Sequence, residues 1–449
     1  MPPITLSQNI LQVHSNYISR ILQNNSGLIN KRIDVPIYQR PYTWKNDSTT
    51  KLFDDFIEHL DSSPQKAYYL GQLVFILKSP DRIEILDGQQ RLTTLYIFIS
   101  ALANSLEQLS LDINELTESV IENNDKRRFK DDIANEIDLL KSFLKDDDDE
   151  NRFLPLYDED KKHFKFLLRD KSLIEFNTQR RHRGIEKRHK IISAGFNLFK
   201  CINEYVDAKV QKENDPSGDT ILYYKEKLKQ LIFIKNILTG DVVEVSYSVL
   251  SPGTEFTIFE TLNKRGENLN CYDLTRNILI NISSEEYIDY KEETIASFDN
   301  HIKNNCSSGT RFDEKIGQKL MTSIWNMSNE GKITSGKYMK KFTEFVRDRN
   351  NREGGFRYAG ARTKDKFIDY VKKLEDCSYA YKELISPKSI EDSNTLGDSR
   401  TKIKKLRVAI ELFKKTNFSQ FYPMYLALRF RHADIDVIYK YIKFIEKIY

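Results

Sequence analysis

Cysteine is scarce in this chain. Its four residues, Cys201, Cys271, Cys306 and Cys377, lie far apart and make no paired metal-ligand spacing. That excludes a paired-cysteine metal motif and points to reduced thiols in a cytoplasmic protein. Long apolar runs are missing too: none approaches the ~18–20 residues needed to span a bilayer. No basic, apolar, small-residue leader opens the chain, so the expectation is a soluble intracellular protein without a membrane partner. Charge of one sign is also lacking. Seventy Lys and Arg against 66 Asp and Glu leave a net charge of +4, which gives no global attraction to nucleic acid, so any basic surface must be local. What is present is a 30% charged, 39% hydrophobic chain with 12% aromatic residues. That balance suits a helix-rich protein with broad solvated faces, and the aromatic content argues against disorder.

A chain of 449 residues is long enough for two or three domains, and no internal repeat or low-complexity linker divides it. Apolar residues from Leu6 to Leu22 recur at helical spacing and predict a helix from Thr5 to about Gln23. Asp47 to Leu60 predicts a second helix. Tyr68 to Leu77 and Arg82 to Leu86 are β-branched, apolar runs joined by Lys78-Ser79-Pro80-Asp81, the pattern of a hairpin. From Gln89 the period becomes helical through Leu92, Leu95, Ile99 and Leu102. Residues 1–105 thus read as a small α/β domain and 106–240 as charged helices. In 241–286 a strand from Val242 to Val249 precedes short helices around Phe256–Leu262 and Tyr272–Ile282. Residues 287–449 are helical again, broken by a Gly/Arg-rich loop at Arg349–Thr363. The fold class is α+β, a small α/β domain followed by a large, mainly helical region.

The most informative segment is Asp87-Gly88-Gln89-Gln90-Arg91. After a buried strand, Gly88 permits a sharp turn, and the helix that follows at once presents unpaired N–H groups and a positive dipole end. That geometry suits a phosphate. Arg91 can add a charge-assisted contact, Gln89 and Gln90 can bond a ribose, a base edge or a water, and Asp87 can offer oxygen to magnesium. The same five residues also fit an ordinary turn and a solvated helix start. In Val35–Trp44, two prolines and three aromatics surround Arg40, which could clamp a phosphate while Tyr38 or Tyr42 stacks on a base; an aromatic mini-core over the sheet edge fits equally. In Phe259–Leu269, Gly266 is placed to end a helix, leaving Asn263 and Arg265 near the start of the next helix, at Asp273.

Four motifs occur in order: Tyr38-Gln39-Arg40 with Tyr42 and Trp44; Leu70-Gly71 before a strand; Asp87 to Leu95; and Phe259 to Asp273. Together they resemble the GmrSD-type restriction endonuclease subunit family over roughly the first 280 residues. The resemblance implies a ParB/sulfiredoxin-like N-terminal domain that binds, and often hydrolyses, a nucleoside triphosphate (ATP, GTP or CTP) with magnesium, in bacterial anti-phage systems that recognise modified DNA. Carried over, Asp87, Gln89 and Gln90 are the catalytic candidates, with Asp87 foremost for holding the metal or positioning a water. Gly88, Arg91 and Thr93 belong to the nucleotide pocket, Tyr38, Gln39 and Arg40 line it, and Asn263, Arg265 and Asp273 complete or brace it. Many relatives carry a C-terminal HNH nuclease domain. Here the tail has only His301 and His432, with no second histidine beside either. The expectation is that a partner, an HNH nuclease or another defence subunit, does the cutting. Self-association into a homo-oligomer stays open.

Other clusters are less specific. Gln179–Lys190 is the densest basic stretch, and Arg180, Arg181, Arg183, Arg188 and Lys190 are its candidate DNA contacts; a solvated helix start fits the same residues. The Arg349–Tyr358 loop mixes Gly, Arg and aromatics, which suits a nucleic-acid loop or a plain surface loop. Asp146–Glu150 reads as a solvated turn. A non-enzymatic DNA-binding or scaffold protein, its Asp87–Arg91 turn holding a DNA phosphate, is the alternative reading.

Overall fold

The structure is a computed structural model. It describes residues 13–22, 32–36, 39–62, 66–79, 82–116, 123–144, 153–155, 158–178, 185–213, 220–250, 270–308, 311–328, 333–348, 355–356, 361–390, 398–416 and 418–448. The chain divides into two compact units, residues 1–262 and 263–449.

The first unit is built on a five-stranded mixed sheet. Its strands are β1 (Val13–Tyr17), β2 (Arg32–Asp34), β3 (Tyr68–Ser79), β4 (Arg82–Asp87) and β5 (Val243–Leu250), in the order β1-β5-β3-β4-β2. The expected hairpin is the antiparallel pair β3–β4. β5 runs parallel to β3, from Tyr68 opposite Val243 to Ile76 opposite Leu250. Parallel neighbours need a long crossover, and here it holds all the helices between β4 and β5. These are α3 (Gln89–Glu115), α4 (Asn123–Ser142), α5 (Asp158–Leu167), α6 (Ser172–Thr178), α7 (Lys190–Glu213) and α8 (Thr220–Thr239). The stretches 1–105 and 106–240 therefore fall in one unit, and the sheet takes its fifth strand from Val243–Leu250.

α3 is the axis of this unit. Leu92, Leu95, Ile99, Leu102, Leu106, Leu109 and Ile113 form its apolar stripe, but Tyr96, Ile97, Phe98, Ala101 and Ala103 are buried as well. A helix buried on all sides belongs in a core, and α4, α7 and α8 pack around it. The helix expected at Asp47–Leu60 is α2 (Asn46–Ser62), which lies on α7.

The long first helix does not form over its described part. Val13–Tyr17 is a strand, antiparallel to β5, and only Ile18–Leu22 (α1) is helical. The outer edge of β5 would otherwise leave backbone groups unpaired, and satisfying them outweighs a weak helical propensity. Among the described residues the helical spacing survives in buried Ile18 and Ile21. Arg20 then forks onto Asp241 through Nε (3.3 Å) and Nη2 (2.7 Å), which fastens the turn.

The second unit is helical. Its helices include Cys271–Glu286, Glu314–Ser328, Ser335–Arg347, Ala361–Ile385, Asp398–Lys415, Tyr422–Phe430 and Ile435–Ile448, with a two-residue hairpin pairing Ser307–Ser308 with Arg311–Phe312. Aromatic packing around Trp325, Tyr338, Phe342, Phe345 and Tyr370 makes its core. Phe356, from the Gly/Arg-rich loop, is buried in that core against Phe345, Phe367 and Tyr370, and the Tyr287 hydroxyl donates to its carbonyl (2.7 Å). Phe356 thus anchors the fold and is not a stacking surface for bases; Tyr358 lies outside the described residues. The mixed sheet with a helical majority is an α+β fold, as the sequence predicts.

Candidate functional site

β4 ends at Asp87 and α3 begins at Gln89, so one residue makes the whole turn. Gly88 has φ 89° and ψ 6°, the left-handed region, and no side chain caps the helix. Its carbonyl accepts the first intrahelical bond, from Leu92 N (2.9 Å). A Cβ at Gly88 would lie 2.3 Å from Leu73 Cδ2. Glycine is therefore required twice, for backbone geometry and for space.

Arg91 reaches back under this turn. Its Nη1 donates to Leu70 O (3.2 Å), and its Nη2 donates to Gln72 O (2.6 Å) and to Asp87 Oδ2 (3.2 Å). The two carbonyls flank Gly71, which has φ 114° at an irregularity in the β3–β5 register. A Cβ on Gly71 would sit 2.0 Å from Arg91 Nη1. The Leu70-Gly71 and Asp87–Arg91 motifs thus form one structural device: a glycine in an irregular strand makes the seat, and the arginine four residues after Asp87 fills it.

The glutamines fasten the other side. Gln90 Oε1 accepts from Thr43 N (2.7 Å) and Thr43 Oγ1 (3.2 Å), while Gln90 Nε2 donates to Pro41 O (3.1 Å). Gln39 Nε2 donates to Leu86 O (2.7 Å) at the end of β4. Gln89 Nε2 donates to Arg40 O (3.2 Å). Together these bonds hold Gln39–Thr43 as a strap across the start of α3. Gln89 itself is only 4% exposed, and its Oε1 has no hydrogen-bond partner. A buried acceptor left unpaired costs free energy, and among the described residues none donates to this oxygen.

Thr93 is fully buried and its hydroxyl donates to Gln89 O (2.8 Å); Thr94 does the same to Gln90 O (2.8 Å) and also meets the Tyr42 hydroxyl (2.9 Å). Burial pushes the Tyr42 phenol well above its ordinary range, so it stays neutral. The aromatic mini-core reading fits Tyr42, while Tyr38 lies outside the described residues.

Behind the strap lies a group that local sequence does not announce. Buried Asp160, on α5, accepts from Tyr42 N through Oδ2 (2.9 Å), and its Oδ1 is 3.2 Å from His189 Nε2. His189 stacks on His163 with ring centres 3.8 Å apart and planes 1° from parallel. His163 Nε2 accepts from Glu186 N (3.1 Å), so Nδ1 carries the proton and donates to Glu159 O (2.6 Å). Burial holds the His163 pKa below its ordinary value. The Asp160-x-x-His163 spacing puts both on one face of α5, the only local hint of this cluster.

Of the remaining candidates, Arg188 is exposed and Lys190 half-buried at the start of α7, whereas Arg180, Arg181 and Arg183 lie outside the described residues, as do Asp146–Glu150, Asn263 and Arg265. Asp273 sits in the first turn of the helix Cys271–Glu286, in the second unit. Its N–H donates to Asn270 Oδ1 (2.9 Å) and its carboxylate accepts from Asn270 Nδ2 (2.7 Å), a helix cap. Arg276, nearby, forks onto Asp299 through Nε (2.9 Å) and Nη2 (2.8 Å).

The strand-to-helix turn at Gly88 is thus seated on Arg91 and strapped through Gln39, Gln89 and Gln90, in an α+β frame. The family follows from the sequence as a whole. Residues 18–280 match the GmrSD restriction endonuclease N-terminal domain, which covers more than half of the chain, and the protein belongs to that family. A search of curated proteins returned no match. Membership of a restriction family implies DNA as what the family acts on. Among the described residues, no helix is long and apolar enough to cross a membrane.

Proposed function

We propose that this chain is the nucleotide-binding, nucleotide-hydrolysing and DNA-sensing subunit of a restriction system acting on modified DNA, with a partner supplying the nuclease. The observation that carries the reading is the buried Oε1 of Gln89, unpaired among the described residues, one residue after the left-handed Gly88, at the uncapped start of a 27-residue helix. A phosphate would take the free N–H groups of the first turn of α3, favoured by the helix dipole. A ribose hydroxyl or an amino group of the base would donate to Gln89 Oε1. Arg91, engaged by two carbonyls and Asp87, acts as a fixed positive charge beneath the turn and keeps it in shape. Arg40, on the strap, would be the cation that clamps the phosphate.

Asp87 fits a magnesium ion supported mainly by the ligand. One of its oxygens faces Arg91, and the carboxylate is partly open to solvent. Among the described residues no three His, Cys, Asp or Glu side chains gather as a ready metal cage. Magnesium commonly takes one carboxylate plus phosphate oxygens and water, and Asp87 can supply that single ligand. The ion would neutralise phosphate charge, while Gln90 is engaged in holding the strap.

The test is calorimetric titration of the purified chain with ATP, GTP and CTP, with and without magnesium and DNA. Gln89→Met keeps the shape and removes the acceptor, and should weaken nucleotide binding about tenfold or more, the worth of one buried hydrogen bond. No nucleotide binding by the wild-type chain would overturn the reading. If DNA affinity alone falls in Gln89→Met, the turn holds a DNA phosphate in a non-enzymatic scaffold.

A further inference from the structure

The last described helix of the second unit, Ile435–Ile448, is amphipathic twice over. Ile438 and Ile442 are fully buried in its own core. On another face, Val437, Tyr441, Phe444 and Ile448 are 38%, 49%, 62% and 70% exposed. Their spacing of four, three and four residues is the alternation of a helix-pairing seam, in which such side chains insert between those of a second helix. An unpartnered row of large apolar groups costs solubility and marks an interaction surface. The helix packed on it, Asp398–Lys415, adds exposed Val408 and Leu412.

Charge decides what fits. One flank of the seam carries Lys440 and Lys447, both exposed. The other flank is Ile438 and Ile445, turned toward the protein's own core or half-buried. The ion pairs of this helix lie off the seam, Lys443 with Glu446 and Asp436 with Lys402. On the neighbouring helix Lys404, Lys405, Lys414 and Lys415 are exposed, Lys414 donating to Ile385 O, with Glu411 the exposed acidic residue between Val408 and Leu412. A second copy docked antiparallel would set Lys440 and Lys447 against their counterparts, and like charges across a seam oppose pairing. A parallel copy would need the flank that is already packed inside. We propose that the Val437–Tyr441–Phe444–Ile448 seam is the docking site for an amphipathic helix of a different protein, with an apolar stripe of its own flanked by glutamates.

The experiment uses the full chain and two synthetic helical peptides with leucine at the seam positions, one flanked by glutamate and one by lysine. Fluorescence anisotropy should show binding of the glutamate-flanked peptide only. Phe444→Ala should weaken it about tenfold or more, as loss of a large apolar anchor does. Lys440→Glu with Lys447→Glu should weaken it about two- to fivefold per site, the range of exposed ion pairs, and should create affinity for the lysine-flanked peptide. That swap separates a specific seam from a damaged fold. Failure of the glutamate-flanked peptide to bind, or equal binding of both peptides, overturns the proposal. So does a homodimer in sedimentation that Phe444→Ala abolishes. Co-sedimentation with phosphatidylserine vesicles that requires Phe444 would also overturn it, because the face would then be a membrane contact.

Discussion

Replacing Gly71 with alanine tests the joint between two of the motifs. The new Cβ would fall 2.0 Å from Arg91 Nη1 and 3.3 Å from Arg91 Cζ, the contacts within 4 Å among the described residues apart from its chain neighbours. The guanidinium must leave its seat and give up its bonds to Leu70 O and Gln72 O. Charge-assisted bonds of this kind contribute about 1.5–3 kcal/mol each, and the partial exposure of the group reduces that to about 2–4 kcal/mol for the pair. Holding alanine at φ 114° adds about 1–2 kcal/mol. The expected loss is about 3–6 kcal/mol. Arg91→Ala alone should cost about 2–4 kcal/mol for the same bonds. Once Arg91 is gone, only the backbone strain of Gly71→Ala is left. The double variant should therefore be close to Gly71→Ala alone, short of additivity by about 2–4 kcal/mol. The assay is urea unfolding followed by Trp44 fluorescence in a Trp325→Phe background, which reports the first unit because these are the two tryptophans of the chain. Strictly additive losses, or a Gly71→Ala variant as stable as wild type, would refute the reasoning.

Gln90→Ala should release the strap, since Thr43 N and Pro41 O lose their partner. We expect a stability loss of about 1–3 kcal/mol and easier acrylamide quenching of Trp44; unchanged quenching would show that the strap is held by other contacts. His163 predicts the pH response. Its pKa is lowered chiefly by burial, with the charge of His189 adding and the bond to Glu159 O opposing. Between its ordinary value near 6.5 and the lower folded value, the unfolded chain binds more protons. Stability should therefore fall as pH drops below about 6.5 and level off beneath the folded pKa. His163→Gln should flatten that slope in urea midpoints measured from pH 7.5 to 5; a slope that persists unchanged would assign it to another group.

Local pattern was enough for much of this protein. The β3–β4 hairpin, α2 and the long α3 were readable because alternation and the 3.6-residue period record which side faces a core. Gly88 was readable because a single glycine between a strand and a helix has few other uses. Val13–Tyr17 was not, because its strand exists only to pair with β5, more than 220 residues later, and no local pattern encodes a distant partner. The aromatic residues near Arg40 read equally well as base-stacking groups and as core, and for Tyr42 burial decided the matter; the loop of Phe356 read as a nucleic-acid loop or a plain surface loop, and Phe356 is core.

The sequence by itself determined that a glycine turn joins a strand to a helix at Asp87–Arg91, and that two glutamines and an arginine follow it in one helical turn. Backbone geometry and periodicity are local, and they act through neighbouring residues. Only the tertiary structure decided what each side chain faces: Arg91 in the Gly71 seat, Gln90 on the strap, Asp160 bridging Tyr42 to His189, and Gln89 with a buried oxygen that pairs with none of the described residues. Those contacts join residues 19 to 118 positions apart, and it is the packing of α3 and α5 against the sheet and the strap that brings them within hydrogen-bond reach.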